Sequence, residues 1–532
     1  MTQGGEGPPN RLAIIGAGSS GLAALKVAVE ELDGWEIVCF ERSEAAVGAW
    51  GYPYKGFVST STKYATQFAG HRCFDAWAAP AGVEDGREFF KDDEYGRYLA
   101  GMVDEHGLRR YVEEHAFVSR MTRVSDGWAL SIRGNNARVE VFDRVLICSG
   151  LAERPRTLDA SVPVLDRIDE QAPVRDRTIV VIGGGESAVD IADRLAHPDL
   201  NNRVYLSLKG GIRVSPRYHP IRGVPSDFLR NRLMLSVHED LRNAIGQKFV
   251  EARIRYQEWF ERLSRSGRAP ETTPRTARDR KKHWALKLTE RARDDLFNVF
   301  HNKSDGFLDA VAEERIQIIG PPVGGGYRLF TDFEGDQEVA LEPDHVVPMI
   351  GYASALEEVT DGAVRVSDFF LGCLHVEHED LFLIGFARPI IGSIPPISEV
   401  QARYVIGMIA GSYERPRDIA DAHARERRRL TATYPAIDTE VVYPVEMIPY
   451  CDGLARRMGT YPSLRRLRSV RTWMRVMLTP ASTLHYDDRD FDPEFIRRQP
   501  VHAPPLIIAL LLLVKAFDVL FRAGLRTGRR RS

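Results

Sequence analysis

The chain has 532 residues, 44% of them hydrophobic and 27% charged, with a formal net charge of −2; this excludes a disordered polyelectrolyte and any global electrostatic pull towards nucleic acid. The length allows two or three domains with large cores. Five scattered cysteines, Cys39, Cys73, Cys148, Cys373 and Cys451, never spaced C-x-x-C, argue against a disulfide framework or zinc site and for a reducing compartment.

Residues 1–10 are polar, without the apolar stretch of a signal peptide, so none is expected and the fold is predicted to begin at residue 11. Residues 12–21 read L-A-I-I-G-A-G-S-S-G, an apolar run that breaks into G-x-G-x-x-G, with helix signals over 22–32. The three glycines answer three separate needs, since Gly16 makes a tight strand-to-helix turn, Gly18 lets backbone approach a pyrophosphate, and Gly21 lets the helix sit close on the strand. The helix N-terminus would then face phosphate charge. A second strand, W-E-I-V-C-F, ends in Glu41, where a carboxylate would meet a ribose hydroxyl, as in an FAD or NAD site.

A Gly- and aromatic-rich loop follows, then V-S-T-S-T-K-Y-A-T-Q-F from 58 to 68, a segment placed to line the nucleotide site. The spacing of Tyr95, Tyr98, Leu99 and Met102 predicts a helix over 93–106, and 116–149 alternates as short strands. At an offset of 167 residues the first motif repeats: T-I-V-V-I-G-G-G-E-S-A aligns Gly183 and Gly185 with Gly16 and Gly18, and Ala188 with Gly21. A helix is expected from about Ser187 until Pro198 stops it. The strand after it ends in Lys209, with Arg213 and Arg217 close behind; cations in place of an acid suit a ribose 2′-phosphate, so this unit reads as an NADPH site.

Residues 225–303 are charged and helical in pattern, with a polar stretch at 265–276 expected as a loop and a basic run at 278–283 read as a solvated helix face. Strand pattern returns over 315–350, and 381–411 reads as strand then helix, bringing the chain back to complete the first nucleotide site. The only strongly apolar run is 506–521, entered through Pro504 and Pro505 and followed by Arg522, Arg526, Arg529, Arg530 and Arg531. Lys515 and Asp518 interrupt any window of about 20 residues needed for a span. An in-plane anchor with arginines at anionic headgroups is therefore expected over a spanning helix, with packing on protein as the alternative.

The two Gly motifs, F-E-R-S-E-A-A-V-G-A-W around Glu41 and Trp50, I-G-Y at 350–352, S-E-V-Q-A-R-Y around Gln401, and V-E-M-I-P-Y-C-D-G-L-A-R-R-M-G-T-Y-P at 445–462 together resemble the flavin-containing monooxygenases. The resemblance implies FAD and NADPH as cofactors: NADPH reduces the flavin, oxygen adds to it as a C4a-hydroperoxide, and a soft nitrogen or sulfur nucleophile, or a carbonyl, of a small lipophilic substrate is oxygenated. It assigns Gly16, Gly18, Ser19, Gly21, Glu41, Arg42 and Trp50 to FAD, Gly183, Gly185, Ser187 and Lys209 to NADPH, and Gln401 to the neighbourhood of the flavin. Two departures stand out. The family's F-x-G-x-x-x-H segment has no counterpart, since no histidine lies between His115 and His197; F-A-G-H at 68–71 echoes it in the wrong place. The family's T-N-x-x-K segment reads S-T-S-T-K, with Thr60 at the Asn position and Lys63 kept, which makes Thr60 and Lys63 the candidates for tuning oxygen chemistry at the flavin.

The expected architecture is α/β, with two Rossmann-like dinucleotide-binding domains, for FAD and NADPH, a helical insert and a C-terminal hydrophobic helix. Its divisions fall at 1–10, 11–172, 173–340 (with the insert at 225–303), 341–412, 413–503 and 504–532. The expected partners are a small-molecule substrate, O2 and, through the tail, the cytoplasmic face of a membrane; neither nucleic acid nor a metal is expected. An NADPH oxidase or reductase on the same scaffold and a membrane-associated flavin redox sensor are the rival readings.

Overall fold

A computed structural model of the chain describes residues 10–51, 56–74, 85–151, 154–158, 161–165, 173–218, 223–239, 241–246, 248, 277–291, 301–323, 329–333, 335, 337–353, 355–435 and 437–528. The chain divides into two compact units, one of Met1–Arg154, Asp227–Arg232 and Tyr352–His502, the other of Pro155–Ser226, Leu233–Gly351 and Ala503–Ser532.

In the first unit the apolar run before the first glycine forms β1 (Arg11–Ile15), followed by α1 (Ser19–Glu31) and β2 (Glu36–Phe40). The helix starts three residues before the sequence pattern placed it, because Gly18 is its N-cap and Gly21 lies inside its first turn. Next come β3 (Val58–Thr62), β4 (Phe89–Lys91) and α2 (Glu94–Glu105), then β5 (Val112–Glu113), β6 (Ala116–Val124), β7 (Gly127–Gly134), β8 (Arg138–Phe142) and β9 (Arg144–Ile147). The strands β6, β7 and β8 form an antiparallel sheet of their own.

The second unit repeats the opening pattern as β10 (Thr178–Ile182), α3 (Glu186–Leu195) and β11 (Arg203–Ser207). It continues through β12 (Arg213–Ser215), α4 (Ala277–Arg291), β13 (His301–Lys303), α5 (Phe307–Ala312), β14 (Ile316–Pro322), β15 (Leu329–Asp332), β16 (Glu338–Ala340) and β17 (His345–Pro348). Its sheet has the order β16-β15-β14-β11-β10-β17, parallel from β14 to β17. Ile179, Val181, Ala188, Ala192, Leu206, Phe307 and Ile316 fill its core. Within the basic run at 278–283, Arg280 Nε donates to the Ala312 carbonyl at 2.7 Å and Lys281 pairs with Asp309 at 2.6 Å, so two of its cations dock on α5. The stretch at 265–276 lies outside the described residues.

The chain returns to the first unit through β18 (Phe369–Phe370), β19 (Leu374–His375), β20 (Leu381–Leu383), β21 (Ala387–Ile391), α6 (Ile394–Ile409), α7 (Ile419–Thr433), β22 (Tyr443–Glu446) and α8 (Met447–Met458). The first unit's main sheet thereby reads β18-β19-β20-β9-β1-β2-β5, with β20, β9, β1, β2 and β5 parallel. Such a sheet, covered on its faces, explains why β1, β9 and β20 read as apolar runs rather than as alternation.

The last helix, α9 (Pro505–Gly528), belongs to the second unit. Its two internal charges turn inward: Asp518 is buried, and Lys515 Nζ donates to the Ser236 carbonyl and to Asp518 Oδ2, the latter at 3.2 Å. Leu506, Ile507, Leu510, Leu512, Leu513, Phe517 and Val519 are exposed. Among the described residues no helix is long and apolar enough to cross a membrane.

Candidate nucleotide and oxygen site

The first glycine turn is built from contacts that admit no side chain. Gly16 has φ +98°, and a Cβ on it would stand 3.0 Å from the Cys148 carbonyl oxygen; a Cβ on Gly21 would lie 1.8 Å from the Gly16 carbonyl oxygen. Gly48, at φ +57°, closes on the turn from the loop after β2, since a Cβ there would fall 2.8 Å from Gly18 Cα. Gly385, at φ +86°, closes from the other side, where a Cβ would meet Ser20 Oγ at 2.1 Å. Neither Gly48 nor Gly385 stands out in the sequence as part of this turn, although Gly48 sits in the F-E-R-S-E-A-A-V-G-A-W motif.

Polar groups around the turn are fixed in turn. Glu41 is 4% exposed and accepts the Ala17 amide at 2.8 Å and the Ser43 amide at 2.9 Å. A carboxylate offers about four lone-pair directions, so it keeps capacity for hydroxyl donors. Ser20 and Ser398 hydroxyls meet at 2.9 Å, tying α1 to α6. The helix starts at Gly18 and at Ser393 carry no side-chain cap. At Gly18 the first amides remain available to an anionic ligand, whereas at Ser393 the next two helical positions after Ile394 are Pro395 and Pro396, which have no amide hydrogen.

Trp50 is half-buried, with its ring 5.0 Å from Tyr95 in an edge contact and 5.6 Å from Phe57. Arg42 is exposed and Ser19 is the first residue of α1. Gln401 is fully buried: its Oε1 accepts the Gly385 amide at 2.9 Å and its Nε2 donates to Tyr450 Oη at 2.8 Å. What the fold asks of Gln401 is to hold Gly385 against α1.

Thr60 lies where the β3–β4 register is irregular, between the pairs Val58↔Lys91 and Thr62↔Phe89, and is half-buried. Its neighbours are committed elsewhere: Ser59 Oγ accepts the Phe90 amide at 3.0 Å, Ser61 Oγ donates to the Gly392 carbonyl at 3.2 Å, and the Thr62 amide donates to Asp227 at 3.0 Å. Lys63 forms an ion pair with Glu94 at 3.0 Å and lies 5.5 Å from the centre of the Phe90 ring. The next residue anchors the segment, since Tyr64 Oη lies 2.8 Å from Gln499 Oε1 and 2.9 Å from the Pro480 carbonyl, with one hydrogen to give to either, and burial pushes its hydroxyl well up from the usual tyrosine range. Asp227 reaches Thr62 from 165 positions away, which no local pattern announces.

The second turn, in the second unit, is closed at its first glycine and open at its second. Gly183, at φ +133°, would place a Cβ 2.2 Å from the Met349 carbonyl oxygen, whereas a Cβ on Gly185 meets nothing within 4 Å. Gly185 caps α3 without any side-chain bond, and Ser187 is exposed in the first turn. Asn302, 1% exposed, donates to the Gly184 carbonyl at 2.8 Å and so fixes the turn from β13. Lys209 stands exposed just past β11. Arg217 is buried and paired with Asp305 at 3.0 Å, which leaves Lys209 as the exposed cation at the strand end.

These features fit two dinucleotides: each turn is a cradle that a Cβ would disturb, at an uncapped helix start, with an acid beside the first and a cation beside the second. Residues 9–273 match the family model described as flavin-binding monooxygenase-like. The chain is similar to the 4-hydroxybenzoate brominase (decarboxylating) of Marinomonas mediterranea, at 25% identity with 85% of this chain and 84% of that protein covered. It is equally similar to flavin-containing monooxygenase 1 of Mus musculus, at 25% identity over 90% of this chain and 88% of that one. Among solved structures, S-allyl-L-cysteine S-oxygenase from Allium sativum superposes with a TM-score of 0.54 at 16% identity, covering 85% of this chain and 89% of that one. Cyclohexanone monooxygenase from Rhodococcus sp. Phi1 bound to NADP+ does so with 0.54 at 15%, covering 84% and 97%; these two likenesses show the fold.

Proposed function

The chain belongs to the flavin-containing monooxygenase family, and on that premise we propose that it is an FAD- and NADPH-dependent enzyme that oxygenates a soft nitrogen or sulfur nucleophile, or a carbonyl, of a small lipophilic substrate. The observation that carries this reading is the pairing of two glycine turns at uncapped helix starts with buried Glu41 beside one and exposed Lys209 beside the other. The bound flavin supplies the oxygen chemistry, and NADPH the electrons.

The chain's own residues bind, orient and screen. Gly16, Gly18, Ser19 and Gly21 present α1 amides to the FAD pyrophosphate, and Glu41 accepts ribose hydroxyls. Arg42 and Trp50 flank the same loop. Gly183, Gly185 and Ser187 receive the NADPH pyrophosphate, and Lys209 meets its 2′-phosphate. Thr60 offers a single hydroxyl to the oxygen site, which can donate one proton in a hydrogen bond; the family's Asn offers a donor and an acceptor at separate atoms. Lys63, which follows β3 directly, is paired with Glu94.

Thr60 also favours the second reading, an NADPH oxidase in which oxygen leaves as hydrogen peroxide. The test is coupling: NADPH consumed, peroxide released and product formed are measured with an aryl methyl sulfide as substrate, for the native chain and for Thr60→Asn. Product matching NADPH supports oxygenation. Peroxide matching NADPH in the native chain, with product appearing in Thr60→Asn, puts the oxidase first, and FAD retention without NADPH consumption leaves the redox sensor.

The tail is read as a membrane-surface anchor on the cytoplasmic side. Its support is α9, whose charges at 515 and 518 turn to the protein and whose Leu506, Leu510, Leu512 and Leu513 are exposed, with five arginines over 522–531 of the sequence suited to anionic headgroups. Sedimentation with phosphatidylglycerol vesicles that is unchanged on deleting 504–532 would sink this part.

A further inference from the structure

The F-A-G-H segment at 68–71, out of place for the family's histidine signature, ends in a cluster outside the nucleotide site. One donor atom from each of His71, Glu105 and His106 lies within 4.8 Å of the others. His71 belongs to the turn after residues 63–66, whereas Glu105 and His106 end α2, so the fold brings the three together from two separate segments.

Two observations give this cluster the character of a cation site. His71 Nε2 lies 3.0 Å from the Tyr98 carbonyl oxygen, which can only accept, so Nε2 carries the hydrogen. The opposite nitrogen, Nδ1, then points its lone pair at Glu105 Oε2, 2.7 Å away. Two acceptors in contact require a positive centre between them, a proton or a metal ion. Independently, His106 Nε2 is buried with no hydrogen-bond partner among the described residues, a cost that a ligand bond removes. Lys26, which stands close to Gly70, is paired with Glu30 at 2.7 Å, so its repulsion of an incoming ion is offset.

We propose that His71, Glu105 and His106 form a binding site for a divalent transition-metal ion of the Zn2+ class, with water at the remaining position. Two imidazoles and a carboxylate are a donor set suited to Zn2+. Bonds of about 2.0–2.2 Å at a tetrahedral centre set donors roughly 3.3 Å apart. Glu105, whose side chain is 60% exposed, can swing to close the difference. The ion would staple the 68–71 turn to the end of α2. Tyr98 already grips that turn, accepting the Phe68 amide at 2.8 Å and donating to the His71 carbonyl at 2.5 Å.

The test is equilibrium dialysis of the full chain against Zn2+, with Co2+ as a spectroscopic stand-in. One ion per chain, a rise in melting temperature with Zn2+, and visible Co2+ bands without sulfur charge transfer are expected. His106→Gln and Glu105→Gln are each expected to weaken binding by about tenfold or more, the scale on which metal sites respond to lost partners. Glu105 is largely exposed, so its variant folds even where a histidine replacement does not. Cys73, which is exposed, is the rival ligand. No bound ion, binding unchanged in both variants, or binding lost in Cys73→Ser with sulfur charge transfer in the Co2+ spectrum would each overturn the site.

Discussion

The two glycine turns carry the same motif and solve its third position differently. In the first unit Gly21 has no room for even a methyl group, because the helix sits with a hypothetical Cβ 1.8 Å from the Gly16 carbonyl oxygen. In the second unit Ala188 occupies the aligned position with a real Cβ that is fully buried in the core. A helix that accepts this Cβ must leave room at that position for a methyl group that the first turn does not leave.

The largest way to break this contrast is Gly21→Ala. The methyl group meets backbone that cannot move without unseating β1, so a cost of about 3 kcal/mol, the upper end for overpacking, is expected. The purified protein should lose its yellow colour, read as the ratio of flavin to protein absorbance. Lys209→Glu comes next. Reversing a charge about 4 Å from a phosphate in a solvated site is worth on the order of 1–4 kcal/mol. A rise of at least about tenfold in the KM for NADPH is expected, with KM for NADH and flavin content unchanged; equal effects on both nucleotides would remove Lys209 from the 2′-phosphate. The smallest is Ala188→Gly, which costs the helix preference of alanine, about 1 kcal/mol, and a buried methyl group of about the same worth, and should lower the melting temperature while flavin absorbance stays put. Loss of flavin from Ala188→Gly would erase the distinction between the turns.

Strand, turn and helix at both motifs were legible because they are set locally: apolar β-branched runs, glycines where φ is positive, and a charged residue one strand later. The start of helix α1 falls three residues earlier than its pattern suggests because its last glycine serves packing inside the first turn rather than ending a loop. What the sequence hid is what comes from afar. Ser398 reaches Ser20 across 378 positions, Asp227 caps the Thr62 amide, Gly385 closes on α1, and Asn302 braces the second turn. Gln401 was placed near the flavin by motif alone; its buried amide joins Gly385 to Tyr450. The tail shows the same limit in another form. A hydropathy window counts Lys515 and Asp518 against an apolar surface, but it cannot see that both are folded inward.

The six residues Asp227–Arg232 belong to the first unit although the chain on both sides belongs to the second. Arg232, 1% exposed, pairs with Asp452 and donates to the Ser482 carbonyl at 2.8 Å, while Tyr486 donates to the same aspartate at 3.0 Å. A buried aspartate stripped of its arginine is an uncompensated charge. The second unit is therefore not a cassette: no single pair of cuts lifts it out, and a chimera that swaps 155–351 from a relative carries that relative's loop into the first unit. Recombination between members of this family can succeed only where the donor brings, or the recipient restores, the one arginine that Asp452 is waiting for.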